Sequence, residues 1–166
     1  MPPLFLFLAL VAIPSSSAEQ LFEAVPGVEE RLVSFVNPLT PGKENAPYLL
    51  NESDFIWENR YDVTRLEQFA CTPDRPSNIT TIDEMHDSGN LFLMNHMLYW
   101  QMAFGNQTPD ARNVADTNSW NGPGGLETYL IRCGNQVMRQ PTFVLVDFFN
   151  VGPALAPVDR LNRVGH

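Results

Sequence analysis

The segment Thr142-Phe-Val-Leu-Val-Asp-Phe-Phe-Asn150 carries the strongest strand signal in the chain and decides the fold class. It follows Pro141 and precedes Gly152, residue types that interrupt regular structure. Its apolar residues form a nearly continuous run without polar alternation, which is typical of a strand buried on both faces of a parallel sheet. Residues 31–37 and 91–95 show the same pattern.

Helices are predicted between and after these strands. Apolar periodicity and end signals favour helices over residues 46–58, 81–87 and 125–139, and a last helix from Pro153. Residues 59–78 and 105–125 are predicted as long loops, because they concentrate Pro, Gly, Asn and Asp. This order of elements predicts an α/β fold with parallel strands, helices and long loops.

The amino terminus predicts secretion. Leu4 to Ile13 is an unbroken apolar run, and the small residues that follow it suit cleavage after Ala18. Residues 1–18 are therefore predicted as a signal peptide, 19–30 as a short linker and 31–166 as one domain. The run lacks a preceding Lys or Arg, so an uncleaved anchor is the alternative. Three Asn-x-Ser/Thr triplets predict glycosylation in a secreted chain, at Asn51, Asn78 and Asn106.

Charge and cysteine content exclude several classes of function. The chain has 10 basic and 19 acidic residues and a net charge of −9, which disfavours nucleic-acid binding and electrostatic attraction to anionic lipids. Cys71 and Cys133 are the two cysteines. In an oxidising compartment they predict one disulfide, with two separate buried thiols as the alternative. No strong metal motif is present, so we expect no metal and no cofactor.

Candidate site residues stand where the predicted strands end. Asn37, Asn95 and Asn150 each follow an apolar run, and the carboxyl ends of parallel strands meet at the edge where α/β folds bind ligands. We therefore predict that these three residues share a binding site. Asn is also a common turn residue, which is the alternative explanation at each position.

Asp147 is the candidate for catalysis. An unpaired carboxylate in a buried strand costs several kcal/mol, so a partner is predicted: an Arg or backbone amides, or a histidine held for acid/base chemistry. His96 follows the second strand, and its role is either in the site or in packing the loop. His86 lies among Asp and Glu residues, and a solvated helix face is the preferred interpretation there.

Several strings together resemble a known family. They are Arg31-Leu-Val-Ser-Phe-Val-Asn-Pro-Leu-Thr40, Ala46-Pro-Tyr-Leu-Leu-Asn51, Leu91-Phe-Leu-Met-Asn-His96, and the last strand with Val158-Asp-Arg-Leu-Asn162. They resemble the secreted PLC-like phosphodiesterases, relatives of phosphatidylinositol-specific phospholipase C whose X domain is a TIM-type barrel. The resemblance covers about residues 31–164.

The resemblance implies phosphodiester hydrolysis without calcium by two histidines, with an Arg that stabilises the phosphorane. Asp147 matches the aspartate that orients one histidine from the last strand, and Asn95 and His96 would face the same pocket. The chain resembles only the carboxyl-terminal part of that barrel, however. His86 and His96 are not in the positions of the catalytic pair, so the two histidines and the Arg have no counterpart here.

Length supports a partial barrel. A closed (β/α)8 barrel takes about 250 residues, so we expect a partial TIM barrel with open edges that a protein partner or a second copy covers. The expected function is that of a phosphoric diester hydrolase-like protein without its catalytic histidines, which binds a phosphodiester or sugar-phosphate. The alternatives are a non-catalytic secreted binding or assembly module and an unrelated secreted α/β domain.

Overall fold

A computed structural model describes residues 8–11, 34–37 and 49–163. The strands in these ranges are β1 (Leu8–Val11), β2 (Ser34–Val36), β3 (Leu49–Asn51), β4 (Ile56–Asn59), β5 (Pro73–Arg75), β6 (Leu91–His96), β7 (Tyr99–Gln101), β8 (Gln107–Pro109) and β9 (Phe143–Val146). The helices are α1 (Glu52–Phe55), α2 (Ile82–Ser88), α3 (Val114–Thr117), α4 (Leu126–Val137) and α5 (Leu155–Leu161). Within these ranges, no helix is long and apolar enough to cross a membrane.

The main sheet has the strand order β1-β9-β6-β4-β5. Its three central strands, β9, β6 and β4, are parallel, whereas β1 and β5 pair antiparallel at the two edges. Strands β2 and β3 form a separate parallel pair, and β7 and β8 form an antiparallel hairpin. The prediction of an α/β fold with parallel strands is therefore confirmed, but the described strands form no closed barrel.

The larger apolar core lies between the sheet and its covering helices. The rings of Trp57 and Phe92 stack there at 3.9 Å between centroids, so β4 and β6 are joined by side chains as well as by their backbones. Helix α4 contributes a buried stripe at helical spacing. That stripe consists of Leu126, Leu130, Cys133 and Val137, the face that the sequence predicts.

A smaller cluster covers the opposite face of the sheet. Ile56, Leu91 and Leu93 are buried there. The apolar side chains packed against them are only partly buried, and they are Phe35, Phe55, Phe143 and Leu145. The two faces are therefore unequally covered within the described part of the chain.

The predicted helix over residues 46–58 is wrong. Residues 46–48 lie outside the described residues, and β3, the single turn of α1 and β4 occupy the rest of this range in that order. The reason is packing, because Ile56 and Trp57 are both buried but enter opposite core clusters. Adjacent side chains point to opposite faces in a strand, whereas in a helix they are only about 100° apart around the axis.

The other predicted elements agree more closely. The described part of the strand predicted over residues 31–37 contains β2, and residues 31–33 lie outside the described residues. The strand at 91–95 appears as β6, and the helices at 81–87 and 125–139 appear as α2 and α4. Helix α2 begins at a capping box between Thr81 and Glu84 and ends at Gly89, whose φ is +68°. The two predicted loops contain the short elements β5, β8 and α3.

Part of the predicted leader forms the edge strand β1 on β9. Ala18, the predicted cleavage point, and the predicted linker 19–30 lie outside the described residues. Cleavage after Ala18 would remove this strand. The cleavage itself stays a prediction.

A disulfide joins Cys71 to Cys133, with 2.06 Å between the sulfur atoms. It links the loop that follows β4 to the middle of α4, across a sequence separation of 62 residues. Both cysteines are buried in the larger core. The bridge predicted from the sequence is therefore present in the structure.

We expect the double substitution Cys71→Ala with Cys133→Ala to lower the free energy of unfolding by about 4 kcal/mol, because a closed loop of this length restricts the unfolded chain. Urea denaturation followed by tryptophan fluorescence measures the change. Reduction of the unmodified chain is the control and should give a similar loss. A double variant within about 1 kcal/mol of the parent would contradict this view of the bridge.

Candidate functional site

A cleft of about 520 Å³ lies at the carboxyl edge of the parallel strands. Strand β4 contributes Glu58, β6 contributes Asn95, and β9 contributes Leu145. The other lining residues come from segments around these strands, and they are Asn37, Glu52, Tyr61, Arg75, Leu93, Met97 and Tyr99. Its size suits a small ligand, and open α/β sheets bind ligands at this edge.

Asn95, which lines the cleft, is hydrogen-bonded to Asn59, and the two residues join the ends of β6 and β4. The Asn95 backbone N–H donates to Asn59 Oδ1 at 2.7 Å, and Asn95 Nδ2 donates to the Asn59 carbonyl at 2.7 Å. The same amide nitrogen lies 2.7 Å from Glu58 Oε2. Both asparagines are buried, so these bonds satisfy polar groups that water does not reach.

Arg75 is the cation of the cleft. Its Nη2 lies 2.7 Å from Glu58 Oε1, and its guanidinium carbon lies 4.4 Å from the centre of the Tyr61 ring. Its Nε is buried and has no hydrogen-bond partner among the described residues. Glu58 thus holds Nη2 of the guanidinium, while the Nε–H on the same edge has no acceptor among the described residues and needs one.

Acceptor groups stand beside this cation. Burial and the neighbouring charge of Glu58 raise the pKa of Glu52, while Arg75 and a hydrogen bond from Asn37 oppose the shift. Burial raises the pKa of Tyr99 to about 12, with Asp147 as the next cause. The cleft therefore joins one guanidinium to carboxylate and amide oxygens that accept hydrogen bonds from hydroxyl groups.

His96 does not share this cleft, although its neighbour Asn95 does. Adjacent strand residues point to opposite faces, and the His96 ring is buried against Phe69 at 4.6 Å between centroids. Its Nε2 lies 3.0 Å from the Thr117 carbonyl and 3.1 Å from that of Gly124. Carbonyls only accept, so Nε2 carries the proton. Burial lowers the pKa of this imidazole to about 4, so it is neutral at physiological pH.

The partner that the sequence predicts for Asp147 is not found among the described residues. Strand β9 ends one residue earlier, and Oδ2 of Asp147 is buried without a hydrogen-bond partner among the described residues. Burial raises the pKa of this carboxyl to about 6. Asp147 and His96 both line a cavity of about 10 Å³, room for roughly one water molecule. Nδ1 of His96 is likewise unpartnered among the described residues.

Two of the three asparagines that are predicted to share a binding site line the cleft, and the third does not. Asn37 and Asn95 line the cleft together, whereas Asn150 is exposed in the turn after β9 and lines none of the described cavities. Among the triplet asparagines, Asn78 and Asn106 are exposed and Asn51 is half-buried. Their glycosylation stays a prediction.

Two residues of the cleft, Glu58 and Arg75, were not predicted from the sequence. Glu58 falls within the helix that the sequence predicts over residues 46–58, and Arg75 falls within a predicted loop, between Pro73 and Pro76. An Arg flanked by prolines carries no periodic signal, so only the pairing of β5 with β4 shows that it meets Glu58. His86 is exposed on α2, and the described residues contain no group of three His, Cys, Asp or Glu side chains suited to a metal ion.

Comparison with known proteins identifies relatives. Residues 20–162 match the family model described as PI-PLC X. An Arthroderma benhamiae protein named PI-PLC X domain-containing protein 1 is 29% identical over 133 residues, which is 80% of this chain and 41% of the relative. An uncharacterized secreted protein of the same organism is 28% identical over 109 residues, 64% of this chain and 24% of that protein. The chain thus spans less than half of these relatives. No solved structure matches significantly.

Asp147→Asn is expected to stabilise the protein at pH 7. The folded-state pKa of about 6 exceeds the ordinary value of 3.8, so the parent chain loses stability as pH rises from about 4 to about 6. The variant should be more stable by about 1–2 kcal/mol at pH 7, a figure reduced for partial solvent exposure, and the difference should vanish near pH 4. Chemical denaturation at both pH values measures it. Destabilisation at pH 7 would show that the carboxylate has a stabilising partner.

Proposed function

Because this chain belongs to the PI-PLC X family, we propose that it forms the carboxyl-terminal part of a partial TIM-type barrel that binds a polyol phosphodiester or sugar-phosphate. The observation that carries the proposal is the unpartnered Nε–H of Arg75 in the strand-end cleft. A phosphate oxygen accepts from a guanidinium N–H, and such charge-assisted bonds are among the strong ones.

The polar residues around Arg75 favour a ligand with hydroxyl groups over bare phosphate. Glu52 and Glu58 would repel a compact anion, but their oxygens accept hydrogen bonds from hydroxyls. The Tyr61 ring adds an apolar surface on which a sugar ring can pack. A phosphorylated polyol satisfies both requirements, since its phosphate meets Arg75 while its hydroxyls meet the carboxylates.

Binding rather than turnover is the function proposed for this chain alone. Acid/base cleavage of a phosphodiester needs groups that accept and donate protons beside the reacting oxygens. Of the three histidines in the sequence, His96 is buried behind the sheet and His86 is exposed on α2, while His166 lies outside the described residues. A phosphoric diester hydrolase activity in lipid metabolism would require catalytic groups from further polypeptide.

The further polypeptide also has a structural role in this proposal. The side chains Phe35, Phe143 and Leu145 are only partly buried against the smaller core cluster, and in the proposed barrel this face of the sheet would be enclosed. The chain spans 41% of one relative and 24% of the other, so their remaining lengths are ample for the missing strands. Alternatively, a protein partner or a second copy of this chain covers this face of the sheet.

Secretion is part of the same proposal, with residues 1–18 as the signal peptide, 19–30 as a linker and 31–166 as the domain. The apolar run near the amino terminus, the Cys71–Cys133 bridge and the secreted relative all support it. Asn51, Asn78 and Asn106 are the candidate glycosylation positions.

Arg75→Lys is expected to weaken binding of glycerophosphoinositol, a soluble polyol phosphodiester, by about tenfold. The ammonium can still pair with Glu58, but it lacks the second N–H that the guanidinium offers to phosphate. Isothermal titration calorimetry measures the dissociation constant. The same titration, followed by phosphorus NMR, should show no cleavage by this chain.

Arg160→Lys is the matched control. Arg160 also pairs with a glutamate, with Nη1 2.6 Å from Glu127 Oε1. Its guanidinium carbon lies 3.7 Å from the Trp120 ring centre, but it lies outside the cleft. This variant should bind like the parent chain. Equal losses in both variants, or no binding by the parent, would overturn the cleft as a phosphodiester site, and cleavage would overturn the binding-only role.

A further inference from the structure

The hairpin formed by β7 and β8 exposes three large apolar side chains. Phe104 is fully exposed in the turn, and Trp100 and Met102 expose 47% and 51% of their surfaces. Residues 97–109 contain no Asp, Glu, Lys or Arg. Clustered apolar side chains on the outside of a protein mark a surface that another group covers, so the hairpin needs an occupant.

The register of the hairpin places Asn106 opposite one of these side chains. Strands β7 and β8 pair Trp100 with Thr108, and nearer the turn the Met102 N–H donates to the Asn106 carbonyl at 2.8 Å. Residues opposite each other in an antiparallel ladder share a face, and residues two apart along a strand do so as well. Trp100, Met102, Asn106 and Thr108 therefore lie on one face of the hairpin, which we call the sequon face.

The residues between them lie on the other face. Gln101 pairs with Gln107, and Gln107 Nε2 donates to Gln101 Oε1 at 3.2 Å. One face of the hairpin thus carries amides that bond to each other. The sequon face carries exposed apolar side chains beside an exposed asparagine.

Phe104 lies in the turn, two residues before Asn106. Its φ is +62°, and that of Gly105 is +80°. A tight turn with positive φ at successive positions is normally built from Asn, Asp or Gly, so an aromatic residue is the less stable choice for the backbone here. Two residues span at most about 7 Å, which places the Phe104 ring within reach of a group attached to the Asn106 side chain.

Asn106 differs from the other two asparagines of the Asn-x-Ser/Thr triplets. Of the three, it alone has an aromatic residue two positions before it. Asn78 follows Pro76 at that spacing, and Asn51 is half-buried in β3. The exposed apolar cluster and the triplet therefore coincide at Asn106.

We infer that Asn106 carries an N-linked glycan whose first N-acetylglucosamine packs on Phe104 and on the apolar side chains of the sequon face. The inference rests on the proposed secretion, and it goes beyond it by naming what covers the exposed hairpin. The donor is an oligosaccharide on a lipid diphosphate. Nδ2 of Asn106 bonds to the anomeric carbon, the bond from that carbon to the diphosphate breaks, and a base of the transferase takes the proton that Nδ2 loses.

The chemistry of the hairpin suits a sugar. One side of the N-acetylglucosamine ring presents C–H groups, and packing them on an aromatic ring removes apolar surface from water. The hydroxyl groups on the edge of the sugar stay solvated. No charged side chain of residues 97–109 has to lose water when the sugar packs there.

Size and attachment favour this occupant over a protein partner. A stable protein interface buries about 800 Å² on each partner, which is more than three side chains supply. A sugar bonded to Asn106 needs far less area, because its attachment gives it a high effective concentration at the sequon face.

The first test is occupancy. The full chain with its own leader is secreted from a eukaryotic host, and chymotryptic glycopeptides, which separate Asn78 from Asn106, are analysed by mass spectrometry. Asn106 should be occupied in most molecules. After an endoglycosidase trims the glycan to one N-acetylglucosamine, proton NMR should show nuclear Overhauser contacts between that sugar and the Phe104 ring.

The second test is a double-mutant cycle on stability. The trimmed chain is compared with Asn106→Gln by urea denaturation, and the sugar should raise the ratio of folded to unfolded chain about fivefold, the size of an aromatic contact. In the Phe104→Asn background the same comparison should give less than twofold. Asn tolerates the left-handed conformation, so this variant should fold, and the cycle removes the direct effect of the substitution.

Asn78→Gln is the matched control. Asn78 is also exposed, but the residue after it, Ile79, is buried and Pro76 stands in the position of Phe104. A single sugar on Asn78 should therefore change the folding ratio less than twofold.

Several outcomes would overturn the inference. They are a bare Asn106 beside a glycosylated Asn78, equal stabilisation with and without Phe104, equal stabilisation from the two sugars, or a dimer of the glycosylated chain that Phe104→Asn dissolves. A secreted chain with a bare Asn106 thus defeats this inference while secretion stands. A chain retained in the cell without any glycan defeats both, and glycerophosphoinositol binding tests the cleft separately.

Discussion

The hydrogen bonds between Asn59 and Asn95 are the constraint on which the carboxyl edge of this sheet depends. Two buried amides at the ends of neighbouring parallel strands must satisfy their donors and acceptors internally. Asn59 does so by also donating to the Ala70 carbonyl at 3.0 Å and to the Tyr129 hydroxyl at 3.1 Å. This network therefore joins the sheet to the loop that carries Cys71 and to helix α4, and it sets Glu58 in place to hold Arg75.

At this edge, neighbouring residues of one strand point to opposite faces of the sheet and so enter two different chemical environments. Asn95 faces the cleft, where Arg75 and two carboxylates interact, whereas His96 faces the packed side, where burial keeps its ring neutral. Asp147 stands at the end of the next strand with an unpartnered oxygen. The family resemblance implies that Asp147 orients a histidine. Asp147 does share a small cavity with His96, but His96 is packed in the core and its Nε2 is hydrogen-bonded to the carbonyls of Thr117 and Gly124.

Charge is distributed unevenly around this edge. The cleft holds ion-paired and hydroxyl-binding groups, while the adjoining hairpin over residues 97–109 is free of charged side chains. The acidic surface elsewhere disfavours adsorption to anionic membranes.

The sequence by itself determined the parallel-strand class, the buried stripe of α4, the pairing of Cys71 with Cys133 and the family. Apolar runs, helical spacing and cysteine count are local or compositional signals, and they survive without knowledge of neighbours. The helix that the sequence predicts over residues 46–58 is wrong, because burial of Ile56 and Trp57 on opposite faces of the sheet overrides the local helical pattern. Only the tertiary structure decided that Arg75 meets Glu58 and that His96 and Asn95 point to opposite faces. It alone also shows that Oδ2 of Asp147 has no hydrogen-bond partner within the described part of the chain. Each of these depends on which segments pack together across the sheet, and side-chain pairing between distant segments leaves no periodic trace in a single sequence.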